Sequence, residues 1–384
     1  MKGSIVLLVC LAWVACGKVE KVSPPEISHE LQEEMETWLA AEGRPPADYV
    51  LELFEDHDVV VLGENHLIRH DVELVHQLLE RLHEVDVNVF AMEFARRSDQ
   101  ARIDSLLSAA DWDETTAREI IFRMFMPWGL REYVDILKIA WQVKREGCEL
   151  RVIGVNNTLD YSHFQKEADW NDDEVWKLVL GDQTEADWAA AILEEVDMGE
   201  KVLVYSGINH AFTGFKQPRV INGSFVSYSR VRMGYKLRDE LGERAVTVFL
   251  HSPWNGAEGY DAKTVHPGAG RLDAFMLSRA AAPFPVGFNL ADSPLAGLPI
   301  EDAVYMHGHE PFSVDKFCDG WIYTKPIAEN EPVRYIEGWI HEGNAAEARA
   351  TAMNPRWRDD SVDSLNIGCK SYLQDFERVH GHLR

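Results

Sequence analysis

Hydrophobic positions along the chain fall into short unbroken runs that are separated by longer segments with helical spacing. The clearest runs occupy residues 59–62, 87–92, 150–155, 202–205, 245–250 and 321–323. An unbroken apolar run of this length is typical of a strand that is covered on both faces, as the strands of a parallel sheet are. The pattern therefore predicts a set of buried strands.

The segments between these runs predict helices of crossover length. In 70–85, apolar side chains recur at spacings of three and four, at Val72, Val75, Leu79 and Leu82. The segment 130–146 repeats this spacing, which is that of an amphipathic helix. The alternation of strand and helix predicts an α/β fold with a mainly parallel sheet flanked by helices.

Composition divides the chain into four parts. Residues 1–16 resemble a signal peptide, 17–46 form a polar tether and a leading helix, 47–340 form the α/β domain, and 341–384 form a C-terminal helical extension. Within the domain, seven of the 16 prolines fall in 252–320, where periodicity is lost. We expect this stretch to be a loop-rich region packed on the sheet, and loops of that size often shape a pocket.

The charge balance excludes one class of partner. The 384 residues include 64 acidic and 38 basic side chains, so the formal net charge is −26. Such an acidic surface repels phosphate backbones, and no stripe of Lys and Arg interrupts the excess. We therefore expect no nucleic-acid partner.

The N-terminus predicts export and a lipid anchor. An apolar run over 5–15 is too short to span a bilayer but has the length of a signal-peptide core. It ends in Val-Ala-Cys-Gly, which resembles a bacterial lipobox with Cys16 as the lipidated residue, although Trp13 departs from the usual aliphatic residue. We expect a cell-envelope lipoprotein, periplasmic or on the outer surface, that is anchored in the membrane. Plain secretion and a buried N-terminal helix are the alternatives.

The candidate chemistry lies where polar residues follow the predicted strands. The first run continues as GENH, which contains Glu64 and His66. The second run ends with Glu93, and the fourth continues as GINH, which ends with His210. Because the carboxyl ends of parallel strands share one edge, where open α/β folds bind ligands, we expect these side chains to line one crevice.

Strand ends are polar in many α/β proteins, and a lone histidine there is more often structural than functional. Two details favour function here. GENH and GINH share a Gly-x-x-His frame after similar strands, and glycine permits a close approach of backbone or ligand. Glu93 directly follows an apolar run, where a buried carboxylate without a partner would be costly.

The pattern VVVLGENH, a helix, VNVFAMEFARR and then VLVYSGINHA resembles the superfamily that contains ChaN-like haem-binding lipoproteins, erythromycin esterases and Tiki/TraB proteins. Its members share a parallel-sheet α/β core, a Gly-x-x-His motif after the first strand, a Glu after the second and a later His. The resemblance implies catalytic roles for Glu64, His66, Glu93 and His210. Further binding candidates are Arg96 or Arg97, which would match an arginine after the Glu, together with Asn157 and His251.

The resemblance leaves three kinds of chemistry open. Likeness to Tiki/TraB proteins implies a divalent metal, with His66, His210 and Glu93 as its ligands. Likeness to erythromycin esterases implies that Glu64 and His66 activate water without a metal. Likeness to ChaN implies haem binding without catalysis. We expect a hydrolase-like crevice that acts on a small-molecule or peptide substrate, with a haem- or metal-binding uptake lipoprotein as the alternative.

Overall fold

A computed structural model of the chain describes residues 22–221, 223–229, 231–260, 263–278 and 285–383. The expected signal peptide and the lipidation site Cys16 lie outside these residues. In the described part of the chain, no helix has both the length and the apolar character needed to cross a bilayer.

The strands include all six that the hydrophobic runs predict. They are β1 (Val59–Glu64), β2 (Val89–Arg96), β3 (Arg151–Asn156), β4 (Val202–Gly207), β5 (Pro218–Ile221), β6 (Ser224–Tyr228), β7 (Ala245–Leu250), β8 (Trp254–Asn255), β9 (Thr264–Val265), β10 (Val286–Asn289) and β11 (Gly320–Tyr323).

The helices include both predicted crossovers, which become α3 and α6. The helices are α1 (His29–Glu42), α2 (Pro46–Leu53), α3 (Arg69–Arg81), α4 (Gln100–Ser108), α5 (Glu114–Met124), α6 (Arg131–Arg145), α7 (Asp173–Leu180), α8 (Glu185–Asp197), α9 (Ile208–Ala211), α10 (Met233–Leu241), α11 (Arg271–Ser278), α12 (Ala345–Ala350) and α13 (Val362–His380).

Within the described residues, seven strands form one sheet in the order β10-β11-β7-β1-β4-β2-β3. Every neighbouring pair is parallel except β10 and β11. The prediction of a mainly parallel α/β fold is therefore confirmed. Because β4 lies between β1 and β2, the segments GENH and GINH follow neighbouring strands although they are far apart in the chain.

Helices cover both faces of the sheet, which explains why its strands are unbroken apolar runs. Alternate residues of β1 enter different core clusters: Val60 and Leu62 pack with α3 and α6, and Val59 and Val61 pack with α1, α8 and α10. The leading helix and the C-terminal extension both contribute core residues, among them Met35 and Leu365, which are fully buried.

The proline-rich stretch 252–320 contains more regular structure than its composition indicates. It supplies β10, which pairs with β11 at the edge of the sheet, and α11, whose Leu272 and Phe275 enter the core. The sequence predicts neither element, because a strand of four residues and a helix of eight are too short to show a period.

Candidate functional site

The two Gly-x-x-His segments pack directly against each other. Glu64, the last residue of β1, is the Cα partner of Gly207, the last residue of β4. A Cβ on Gly207 would lie 2.7 Å from His66 Cε1, and a Cβ on Gly63 would overlap the side chain of Ile208. Each glycine therefore makes room for a side chain of the other segment, as the sequence analysis expected of a close approach.

Glu64 holds His66 in a fixed orientation. The Glu64 side chain is fully buried, and its Oε1 lies 2.7 Å from His66 Nδ1. Tyr133 donates to Oε1 at 2.8 Å, and Tyr205 donates to Oε2. Because an ionised carboxylate only accepts hydrogen bonds, Nδ1 of His66 carries a proton and Nε2 is left for the crevice. Neither tyrosine could be identified from the sequence, because nothing in it distinguishes them from core residues.

Glu93 pairs with His210, and its charge also acts on His66. The pairing of β2 with β4 ends at Met92, and β2 continues along β3 only after a shift of register. At this irregularity Glu93 turns its side chain to β4, where Oε2 accepts the N–H of Gly207 at 2.7 Å. Its Oε1 lies 3.5 Å from His210 Nε2. The prediction that Glu93 stands where a strand ends holds for the β2–β4 pair, whereas β2 itself runs three residues further, to Arg96.

His210 has a second carboxylate that the sequence analysis missed. Its Nδ1 lies 3.1 Å from Oε2 of Glu185, the first residue of α8, and that carboxylate also pairs with Arg232. The N–H of Met233 donates to Glu185 at 3.1 Å. A capping box at Thr184 marks the start of α8 in the sequence, but no local signal connects that helix end with GINH.

These charges shift the pKa values of both histidines in the same direction. Burial lowers the pKa of His66, but the hydrogen bond and charge of Glu64 and the charge of Glu93 raise it by more. Burial likewise lowers the pKa of His210, and the charges of Glu185 and Glu93 more than reverse this. Burial raises the pKa of Glu185, but His210 and Arg232 bring it down to about 2. Both imidazoles therefore hold their protons to a higher pH than usual.

Aromatic rings also pack against the two imidazoles. His66 meets the rings of Trp128 and Phe94 edge to face, at centroid distances of 5.2 and 5.8 Å. Trp188 lies 4.9 Å from His210. The side chains remain accessible, because 38% of His66 and 23% of His210 is exposed. The arrangement is a pair of oriented, partly exposed imidazoles on which the charge of Glu93 acts.

The remaining predicted residues have other partners. Arg96 pairs with Asp99, Arg97 with Glu194, and the side chain of Asn157 donates to the carbonyl of Thr184. In the described part of the chain, no hydrogen bond or ion pair joins any of them to Glu64, His66, Glu93 or His210. Their role in binding a substrate stays a prediction.

His251 belongs to a separate buried cluster. Its Nε2 lies 3.1 Å from Asp273, and its Nδ1 accepts from Trp321. His266 and Tyr323 also bond to Asp273, which is fully buried. This cluster joins α11 to β7 and β11, so the structure places His251 in the core and outside the crevice.

The metal ligand set gains no support from the geometry. Across residues 22–383, apart from the short gaps in the description, no group of three or more His, Cys, Asp and Glu side chains is arranged to hold a metal ion. The imidazoles of His66 and His210 are already paired with carboxylates, so a metal site formed by His66, His210 and Glu93 stays a prediction.

Comparison with known proteins supports the resemblance read from the motifs. Residues 50–163 match a family model described as haem-binding uptake, Tiki superfamily, ChaN. This range includes Glu64, His66 and Glu93, and it ends before His210. The predicted resemblance to this superfamily is therefore confirmed over that range. No curated protein matches the chain at a significant level.

Several solved structures are similar to this chain, although their sequence identity to it is low. A succinoglycan biosynthesis protein is 10% identical over 79% of this chain and 98% of its own, with a TM-score of 0.52, and it supports the fold. ChaN of Campylobacter jejuni, in a structure with cofacial haem, is 16% identical over 53% and 84%, with a TM-score of 0.35. An erythromycin esterase mutant in its open conformation is 10% identical over 77% and 95%, with a TM-score of 0.44.

Proposed function

From the match to the ChaN and Tiki superfamily and from the geometry of the crevice, we propose that this protein is a hydrolase that activates water without a metal ion. One observation carries the proposal: His66 and His210 each have Nδ1 within about 3 Å of a glutamate carboxylate of their own, and the charge of Glu93 acts on both. An imidazole that is oriented by a carboxylate is the usual device for moving a proton at an active site.

His66 is the general base of the proposed reaction. Glu64 fixes the protonated Nδ1, so the lone pair of Nε2 takes a proton from water as the water attacks the carbonyl of the substrate. The buried carboxylate then stabilises the imidazolium that forms. His66 suits this role better than His210, because it is paired with one carboxylate, that of Glu64, and is the more exposed of the two.

His210 is the general acid. It lies between Glu185 and Glu93, and two carboxylates favour its imidazolium form. As an imidazolium it stabilises the oxyanion and gives its proton to the leaving group. Glu93 lies 3.5 Å from Nε2 of His210 and accepts the N–H of Gly207, so it positions the acid relative to β4.

The residues of the crevice suit the metal-free activation of water better than they suit a metal ion or haem. The described donors form no metal-binding group, and Nδ1 of both histidines faces a carboxylate. Haem carries anionic propionates, which Glu64, Glu93 and Glu185 would repel in a protein whose net charge is −26. The proposed reaction therefore uses neither group.

The location is part of the proposal and rests on the sequence. The lipobox-like end of the apolar run makes Cys16 the anchor of a cell-envelope lipoprotein. Detergent fractionation of cells that express the wild type and Cys16→Ser tests this. The variant should leave the membrane fraction or remain unprocessed, and equal partitioning of the two would contradict the anchor.

The function is tested with the purified full chain and a panel of generic esters and peptides. We expect turnover that EDTA does not reduce and that His66→Ala lowers by about 10²–10⁴-fold, the usual contribution of a general base. His83→Ala, an exposed histidine beyond α3, is the matched control and should have no effect. Turnover that EDTA abolishes and zinc restores would favour the metal-dependent alternative, and no turnover on any substrate would contradict a hydrolase.

A further inference from the structure

Exposed apolar side chains are concentrated in one short segment of the described chain. Nine large hydrophobic residues are exposed among the described residues, and four of them fall in 225–231: Phe225, Val226, Tyr228 and Val231. Val226 and Val231 have 53% and 56% of their surface exposed. A contiguous exposed apolar patch is unfavourable in water, and on a folded protein it marks a surface that binds something.

This patch lies on the hairpin formed by β5 and β6, together with Val231, which we call the hairpin arm. Tyr228 donates to the carbonyl of Gly308, and the rings of Tyr228 and Phe225 are 5.1 Å apart. A Cβ on Gly308 would lie 2.7 Å from Phe225, so the loop around Gly308 touches the arm. The proline-rich stretch therefore supports the arm against the body.

Both ends of the hairpin arm are attached to the catalytic crevice. Gln217, which precedes β5, donates to Asn209 of GINH at 2.8 Å and accepts from Arg232 at 3.0 Å. Arg232, which follows Val231, pairs with the carboxylate that contacts His210. Val231, one of the exposed apolar residues, thus directly precedes Arg232, the partner of the carboxylate that contacts His210.

We propose that the hairpin arm is a substrate subsite that binds an uncharged apolar group, an alkyl or aromatic chain, attached to the bond cleaved in the crevice. This inference rests on the proposed function and names its substrate class. The crevice itself supplies three carboxylates and two imidazoles, so an apolar group of the substrate is better accommodated on the exposed side chains of the arm. A neutral chain also avoids the repulsion that an acidic protein exerts on an anionic group.

The test uses the purified full chain and p-nitrophenyl esters of acetate, butyrate and octanoate. Wild type should prefer octanoate, because each methylene that leaves water contributes about two- to fourfold to kcat/KM. Val226→Ser with Val231→Ser should lower the ratio of octanoate to acetate turnover at least tenfold and leave acetate turnover unchanged. Both valines are exposed, so thermal melts of the double variant should match wild type.

The matched control is Leu178→Ser with Ile367→Ser, which removes two exposed apolar side chains of 58% and 72% exposure from other surfaces. Its ratio of octanoate to acetate turnover should equal that of wild type. An unchanged ratio in the arm variant would overturn the subsite. Loss of binding to phosphatidylcholine vesicles by the arm variant alone would also overturn it, in favour of a lipid-binding surface.

The two proposals fail in different ways. If no ester is turned over, binding of octanamide is measured by tryptophan fluorescence on the same variants. Weaker binding by the arm variant, and by that variant alone, would then support the subsite while the hydrolase proposal fails. Equal binding by all three proteins would overturn the subsite as well.

Discussion

The ring of His66 lies against the backbone of Gly207, so that a Cβ there would approach His66 Cε1 to 2.7 Å. Neither Gly207 nor Gly63 has a positive φ, so neither glycine is needed for an unusual backbone conformation. What requires them is contact: the carboxyl ends of β1 and β4 are neighbours, and each Gly-x-x-His segment occupies the space beside the glycine of the other. This contact brings two histidines from distant parts of the chain within reach of the charge of Glu93.

Gly207→Ala tests that contact. The added methyl group must displace the His66 ring, because the backbone of β4 is fixed by pairing with both β1 and β2. We expect turnover to fall at least tenfold, since misplacing a catalytic group by about 1 Å has effects of that size or more. Gly214→Ala is the control, because no atom lies within 4 Å of its Cβ position. Equal turnover in the two variants would contradict the proposed geometry.

His66→Ala and His210→Ala should not have additive effects on turnover. Each single change removes one half of a proton-transfer pair, so the double variant should lose little more than the more damaged single variant. Turnover and thermal melts are measured on all three. The opposite result would be additive losses in melting temperature with unchanged turnover. In that case the two Gly-x-x-His segments are structural turns and the site lies elsewhere.

The dependence of kcat/KM on pH should be bell-shaped. His66 must lose its proton to act as a base, and its raised pKa places the acid limb above about 6.5, the usual value for histidine. His210 must keep its proton, so activity falls again as pH rises through its raised pKa. Glu64→Gln removes the charge that raises the pKa of His66, so the acid limb should move to lower pH. An unmoved limb would show that His66 is not the base.

Glu185→Gln should lower stability within a limited range of pH. The pKa of Glu185 in the folded protein is about 2, below its unfolded value. Its contribution to stability is therefore lost as pH falls from the unfolded pKa to the folded one. His210 has a raised pKa in the folded protein, so its protonated form stabilises the folded state fully below its unfolded pKa of about 6.5. That stabilisation is lost as pH rises through the folded pKa.

The pair therefore contributes most between about pH 4.3 and 6.5, the two unfolded values. There we expect the substitution to lower the free energy of unfolding by about 2 kcal/mol, the scale of a hydrogen bond to a charged group. Urea unfolding at pH 3, 5.5 and 9 measures this. Glu194→Gln, at an exposed pair with Arg97, is the control and should change little at any pH. A loss that does not vary with pH would contradict the ion pair.

Purified protein from cells supplied with haem should carry no stoichiometric haem. The glutamates around the crevice repel propionates, and both imidazoles face carboxylates. An absorption spectrum and metal analysis of the same sample check this. A Soret band that corresponds to one haem per chain, lost in His66→Ala and retained in His83→Ala, would favour the uptake function over hydrolysis.

The sequence by itself determined the class of fold and the main components of the site. Unbroken apolar runs mark strands that are buried on both faces, and all six became strands of one sheet. Glu64, His66, Glu93 and His210 were identified because each follows or interrupts such a run, and the repeated Gly-x-x-His frame separated them from ordinary polar strand ends.

Only the tertiary structure decided which groups surround those four residues. Tyr133, Glu185 and Arg232 come from helices or helix ends that the chain reaches before or after the motifs, and local periodicity carries no information about such contacts. The same limit applies to His251, which follows a strand as the others do but turns to Asp273 in the core. Strand order is the physical reason: periodicity reveals which residues are strands, whereas the insertion of β4 between β1 and β2 depends on long-range packing.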